Sequence, residues 1–438
     1  MMKQLGNLGV AHVAAVAAGI VVSSSTLVMG LNGLALAGPA SLVSALIGFG
    51  INLIGVMAFA ELVAMIPKAS QMSAYTERAV GNRTLASSVG LLYWIVILFA
   101  TSGEMASGGF VLRALFGSGP VWVWIVALAA VAFIPVLLGL RVAVEVEFAL
   151  VITLVSLRAG LGLIALTGLS RAGTYEWGGW TPFMPGGIES LIGTVVLGVW
   201  LFIGAEFACP LAERMKNPGS TLPRGILLGL GVVLVMDSVL RVGLMGAVAD
   251  RSLLAGDFPQ LQLGTILLGK PGYALMAGSS LLGTITTLLA AFVIAPQMLA
   301  SLAERGAVPA VFAPRGDEAP AAANWATFLA WSLVGAAASS VLLLITASAF
   351  LWLLLYAWAM VLVVILRVRA PSAERPFRMP ALPILAPIGI VTILWTDWTV
   401  LVSMPASAGL ALVFLGVAFL TPLLLRSALP VVESPEAP

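Results

Sequence analysis

Residues 199–224 read VWLFIGAEFACPLAERMKNPGSTLPR. An apolar run long enough for a bilayer is interrupted by Gly204, carries Glu206, and ends in a basic loop containing Pro and Gly. A charge and a helix-weakening glycine are costly inside hydrocarbon, and they are usually kept where they line a pathway or a site. The stretch therefore predicts a membrane-spanning helix that is broken for a functional reason.

The rest of the chain agrees. Of its 438 residues, 61% are hydrophobic and 9% charged, and the mean hydropathy is +1.10. A soluble domain carries about 25% charge, so this composition excludes a string of water-soluble domains. One cysteine, Cys209, excludes an internal disulfide framework, and one histidine, His12, argues against zinc or haem chemistry. No cofactor or resident metal is expected, nor an enzyme. A net charge of +2 gives no nucleic-acid signal. The first apolar segment runs far past a signal-peptide core and reads as a retained helix.

A helix needs about 20 apolar residues to cross the hydrocarbon. Twelve such segments are predicted, at 9–36, 40–66, 86–116, 121–140, 144–169, 188–212, 224–249, 273–305, 323–345, 347–369, 382–403 and 406–427. The loops 170–187 and 250–272 are the largest, and Pro259 and Gly272 predict short re-entrant or surface pieces in the second. With the N-terminus inside, only Arg113, Arg171, Arg251 and Lys270 fall on the outer side, while most loop cations face inward. That asymmetry predicts a multi-pass protein of the cytoplasmic membrane with both termini cytoplasmic.

A second interruption lies in the first helix, where Ser23-Ser24-Ser25-Thr26 follow Val22. Four hydroxyl residues cover every face of one turn and can loosen it by bonding to backbone carbonyls. Half-helix N-termini then attract an anion, and released carbonyls accept from an ammonium or hold a cation. The same serines also suit a tight helix crossing. In the sixth helix Trp200, Leu201, Phe202 and Gly204 form the matching interruption. Trp200 offers an aromatic face to a substrate, or serves packing alone. Paired interruptions in the two halves of a chain point to a transporter site at the bilayer midplane.

Other intramembrane charges join the candidates. Glu104, with Thr101 one turn earlier, reads as a contact for a cationic group, as a proton carrier, or as a buried partner of Arg158. Asp237 and Arg241 stand i,i+4 and can neutralise each other. Glu206 can accept a proton or cap the broken helix.

Four stretches resemble the amino acid–polyamine–organocation permease superfamily. Phe59-Ala60-Glu61-Leu62 through Pro67 to Tyr75 is similar to its pattern after helix 2. Glu213 to Pro218 with Pro223-Arg224 resembles its E-x-x-K-N-P-x-x-x-x-P-R. Ala303 to Pro309 and Arg375 to Pro380 resemble its signatures after helices 8 and 10. The resemblance implies an all-α polytopic protein with the LeuT-type fold. That is an inverted repeat of five plus five helices, about 9–169 and 188–369, with two further helices at about 382–427, forming a single transporter domain.

It implies a secondary transporter of amino acids or related amines, coupled to protons or working by exchange. Ser24 and its neighbours would hold the substrate carboxylate, and Trp200 or Phe202 would form an aromatic gate. Thr101, Glu104 and Ala291 would border the pocket. Glu206 would respond to pH, and Glu104 hints at a cationic substrate. Three departures stand out. The family's two glycines after helix 2 are Ser70-Gln71, and its G-S-G turn has become Ser23-Ser24-Ser25. Its T-x-x-K of helix 5 reads Thr153-Leu154-Val155-Ser156, with Arg158 two residues on. Two residues turn a helix by about 200°, so Arg158 does not stand in for the lysine of that motif, and coupling through Ser156 or Arg158 is open. Sodium coupling through Thr284, Thr286 and Thr287 is the rival. A non-transporting membrane scaffold is the rival of another class.

Overall fold

Inside hydrocarbon a backbone satisfies its own N–H and C=O groups by forming a helix, and the described residues form helices and turns with no strand. The computed structural model describes residues 9–67, 71–117, 119–138, 140–215, 217–256, 258–314, 319–338 and 340–425; Ser70 and Lys216 of the sequence motifs fall outside them.

The first predicted helix is two helices, α1 (Val10–Val21) and α2 (Ser24–Ala37). Ser23 ends the first by adopting an extended backbone and starts the second as its N-cap, its Oγ accepting from Thr26 N at 3.1 Å. A short turn at Gly38–Ala40 leads straight into α3 (Ser41–Met65). A short helix, α4 (Met72–Val80), follows, and then α5 (Arg83–Phe116), capped by Asn82 and closed by a left-handed Gly117. The remaining helices of the first half are α6 (Val121–Leu138) and α7 (Leu140–Leu166).

The second half starts with α8 (Gly187–Trp200), which breaks at 201–204 before a tight 3₁₀ stretch over Ala205–Arg214. Gly204 makes the break possible, since its φ of +104° is closed to other residues without strain. After it come α9 (Pro218–Ala247), α10 (Pro259–Leu268), α11 (Lys270–Glu304), α12 (Ala321–Ala337), α13 (Val341–Arg369), α14 (Leu382–Ser403) and α15 (Pro405–Leu425).

Among the described residues, ten spans are long and apolar enough to cross a membrane, against the twelve expected. The short α1 stands alone because of the break, and the turn between α2 and α3 is so tight that Ser24–Met65 counts as one span. The expected ninth helix, 323–345, ends instead at Ala337, and α13 starts at Val341 rather than 347. There Ser340 caps the new helix, its Oγ accepting from Leu343 N at 3.3 Å. The piece expected at 250–272 is α10. No apolar segment in the sequence announces α4.

Polarity is distributed for lipid, not water. Trp122, Ile134, Leu138, Val235, Val391 and Val413 are exposed on the outside, while Ser24, Glu104, Arg158, Glu206 and Thr284 are buried. Small residues bring backbones together where helices cross. A Cβ on Gly48 of α3 would overlap the backbone of Gly198 in α8, and one on Gly198 would overlap Ser44 O. Helix α9 lies equally close to α1: Gly225 faces Val13, and a Cβ on Gly229 would sit 2.7 Å from Ala14 O. The two broken helices are thereby held in the centre, with α14 and α15 at the margin against α3, α5 and α13.

Candidate substrate site at two broken helices

The site grows from the break in α1–α2. The turn that exposes Ser23 O also frees the first N–H groups of α2, and these point at α5. Glu104 Oε1 accepts from Ser24 N at 2.7 Å and Oε2 from Ser25 N at 3.0 Å. From α11, the Thr284 hydroxyl donates to Oε1 at 3.0 Å. Ser24 and Ser107 hydroxyls lie 3.3 Å apart beside it. A carboxylate at a helix N-terminus is favoured by the helix dipole and by the free donors together. Arg158, from α7, donates from Nη2 to Ser23 O at 2.6 Å. It lies within electrostatic reach of Glu104 and Asp237.

The second break closes over the first. Trp200, the last residue of α8, donates from Nε1 to Ser25 Oγ at 3.1 Å, and the Ser23 and Ser25 hydroxyls are 2.9 Å apart. Phe202 turns the other way, its ring edge-on to Phe49 of α3 at 5.3 Å between centroids. Between the two aromatic candidates, Trp200 is the one that reaches the break between α1 and α2. Leu201 packs towards Gly30 of α2, next to the Asp237–Arg241 pair, in which Arg241 Nε donates to Asp237 Oδ2 at 2.6 Å. Val22, Thr26, Gly204 and Ala291 are all buried in their helices and turns. Thr101 donates to Ile97 O of its own helix at 2.6 Å, so its proton is used there and its oxygen can only accept.

Glu206 sits beyond the second break in an aromatic enclosure. The Tyr356 hydroxyl donates to Oε2 at 2.6 Å, and Trp352 Nε1 donates to Oε1. Phe207 and Tyr93 pack against Trp352. Trp352 and Tyr356, spaced i,i+4 on α13, are site residues that the sequence reading does not include. A tryptophan and a tyrosine one turn apart in an apolar helix are the available signal.

Ser156 needs correction. It lies on the exposed face of α7, while Arg158 is 1% exposed, as the two-residue rotation requires. It does not join the cluster. Glu147 is a further addition. It is buried on α7 against Gly19, where a Cβ would overlap its Oε1, and neither carboxylate oxygen has a hydrogen-bond partner among the described residues. Close to the same part of α1, Thr286 and Thr287 hydroxyls reach Gly19 O at 3.3 Å and Ile20 O at 3.5 Å, and both also donate to Gly283 O.

On the face of α3 that leads to the 370–381 loop, Glu61 accepts from Arg367 Nε at 3.0 Å, Arg367 Nη2 at 2.6 Å and Met379 N at 2.7 Å. Arg375 Nε lies 3.4 Å from Glu61 Oε1. The signature glutamate after helix 2 and the R-P-F-R-x-P stretch are thus two sides of one contact.

Two broken helices facing each other around buried polar groups define a helical membrane transporter of the LeuT type. The chain belongs to the amino acid permease family, whose model matches residues 8–421, within the amino acid–polyamine–organocation superfamily. It is similar to the branched-chain amino acid permease BcaP of Bacillus subtilis (strain 168), 22% identical over 88% of this chain and 86% of that one. Its similarity to the amino-acid permease RocC of the same organism, 27% identical, spans only 43% of either chain. Among solved structures, it superposes on a mutant manganese transporter of Eremococcus coleocola with a TM-score of 0.58. That match has 13% identity and covers 96% of this chain and 93% of the other. The protein is a multi-pass membrane protein and a transporter, not an enzyme.

Proposed function

We propose that this protein is a secondary transporter that carries amino acids or related organic amines across the cytoplasmic membrane by alternating access. The observation that carries the reading is the Trp200–Ser25 bond, which joins the two helix breaks over a buried polar centre. Such a centre between discontinuous helices is the geometry in which a carrier encloses its substrate. The relatives BcaP and RocC, both named as amino acid permeases, support the same substrate group. In this reading residues 9–169 and 188–369 are the two repeats, and both termini are cytoplasmic.

Coupling is assigned to protons or to exchange. Glu206, enclosed by Trp352 and Tyr356, is a carboxylate that can change protonation without an ion pair to break. A second reading, sodium coupling, draws support from Thr286 and Thr287 against the carbonyls of Gly19 and Ile20, since hydroxyl and carbonyl oxygens suit a hard cation. Purified protein in proteoliposomes separates the two. Uptake of labelled amino acids and amines is followed under a pH gradient without sodium, under a sodium gradient at equal pH, and in counterflow. Sodium-dependent uptake at equal pH would replace the proton assignment. No uptake or exchange of any compound would leave a scaffold as the surviving reading.

A further inference from the structure

The N-terminus of a helix that starts inside the bilayer presents unpaired N–H groups and a partial positive charge. In α2 these groups are already used. Ser24 N and Ser25 N donate to the two oxygens of Glu104, and Thr26 N donates to Ser23 Oγ. Thr284 holds the same carboxylate from α11. Glu104 is 1% exposed, so displacing it would strand a carboxylate in the interior.

The other pole of the break is taken too. Ser23 O accepts from Arg158 Nη2 at 2.6 Å and from Thr26 Oγ1 at 2.9 Å, and a carbonyl oxygen has two lone pairs to offer. An ammonium, whether of an amino acid or of a simple amine, would find Ser23 O already filled by Arg158, whereas the carboxylate of an α-amino acid would in addition find its place taken by Glu104. That carboxylate would also approach a like charge, which is repelled at short range.

We infer that the molecule carried is an organic amine without a free α-carboxylate, because Glu104 occupies the seat such a carboxylate would take. This rests on the transporter reading above and narrows its substrate class. An amine meets no like charge at Glu104. Among the described residues around the two breaks, the buried carboxylates are Glu104, Glu147, Glu206 and Asp237, while the buried guanidiniums are Arg158 and Arg241. Glu104 Oε2 accepts from Ser25 N and so keeps a lone pair for an ammonium. Trp200, tethered to Ser25, adds an aromatic ring able to face that cation.

The test sets each amino acid beside its decarboxylated amine, lysine beside cadaverine and tyrosine beside tyramine among them. Binding is read by thermal shift of the full chain and uptake by counterflow in proteoliposomes. At least one amine should act at a concentration about a hundredfold lower than its parent amino acid, the scale expected of a like-charge penalty. Glu104→Ala should empty the seat and improve binding of the parent amino acid by about tenfold or more. An amino acid that binds the unaltered protein as well as its amine does overturns the inference and leaves the transporter reading standing. If neither series binds or is carried, both fall. The comparison on the unaltered protein decides by itself, so the outcome does not depend on the variant folding.

Discussion

Replacing Glu61 by Gln keeps the shape of a side chain that is 1% exposed and removes only its charge and half its accepting capacity. The carboxylate takes three hydrogen bonds, two from Arg367 and one from Met379 N, and faces Arg375 at 3.4 Å. In the amide one oxygen becomes an NH₂ group pointing at donors, so at least one charge-assisted bond turns into a donor–donor contact. Removing one partner of a fully buried pair costs about 3–5 kcal/mol. Arg367 keeps 17% of its side chain exposed, and Arg375 bonds separately to Leu366 O and Ala370 O, so both cations retain some compensation. The lower end applies, about 3 kcal/mol, or roughly two decades in the folding equilibrium. The assay is a denaturant titration of detergent-purified protein, run with Arg367→Leu and the double variant as a cycle. The double variant should recover much of the loss, because the stranded cation has gone. A Glu61→Gln protein within about 0.5 kcal/mol of the unaltered one would refute the view that this contact ties α3 to α13 and the 370–381 loop.

Gly48→Leu should destabilise the chain or prevent its insertion, since the side chain meets the Gly198 backbone, and a normal yield of monodisperse protein would contradict the packing described. Glu147→Leu should raise the melting temperature, because a buried carboxylate with no hydrogen-bond partner among the described residues gives way to an apolar group of similar size; a lower melting temperature would indicate that Glu147 has a stabilising role. Tyr356→Phe removes one of two side-chain donors to Glu206 and should cost about 1–3 kcal/mol, read by the same titration; no measurable loss would contradict the bond. Glu206→Gln should flatten the pH profile of uptake while substrate still binds in thermal shift; an unchanged profile would remove Glu206 from the coupling path.

Both helix breaks are legible in the sequence because hydroxyl clusters and an isolated glycine look wrong in hydrocarbon: Ser23–Thr26 and Gly204 mark the interruptions. Glu104 is legible as a costly charge but not as the partner of Ser24 and Ser25, since no local pattern links residues 80 positions apart. Glu147 is hard to single out because it follows Arg141 and Glu145 and reads as one more charge near a membrane surface. Ser156 is drawn in by its place in a family pattern, although helix rotation turns it away from Arg158. The boundary between α12 and α13 is misplaced because its marker, the Ser339-Ser340 pair, is brief and comes with no charge or proline in an otherwise apolar run. The helix α4 is too short and too polar to register in a search for apolar spans.

The close approach of α1 to α9 has a mechanical consequence. Between α1 and α2 the chain passes through two non-helical residues, Val22 and Ser23, which can act as a pivot. On the other side α1 has no comparable freedom, because Gly225 and Gly229 bring the α9 backbone against Val13 and Ala14. A tilt of α1 alone would pull apart a seam in which main chain lies on main chain. A tilt about Val22–Ser23 that keeps this seam closed carries α9 with α1, and α7 with them, since Gly162 of α7 lies just as close against the Leu240 backbone of α9.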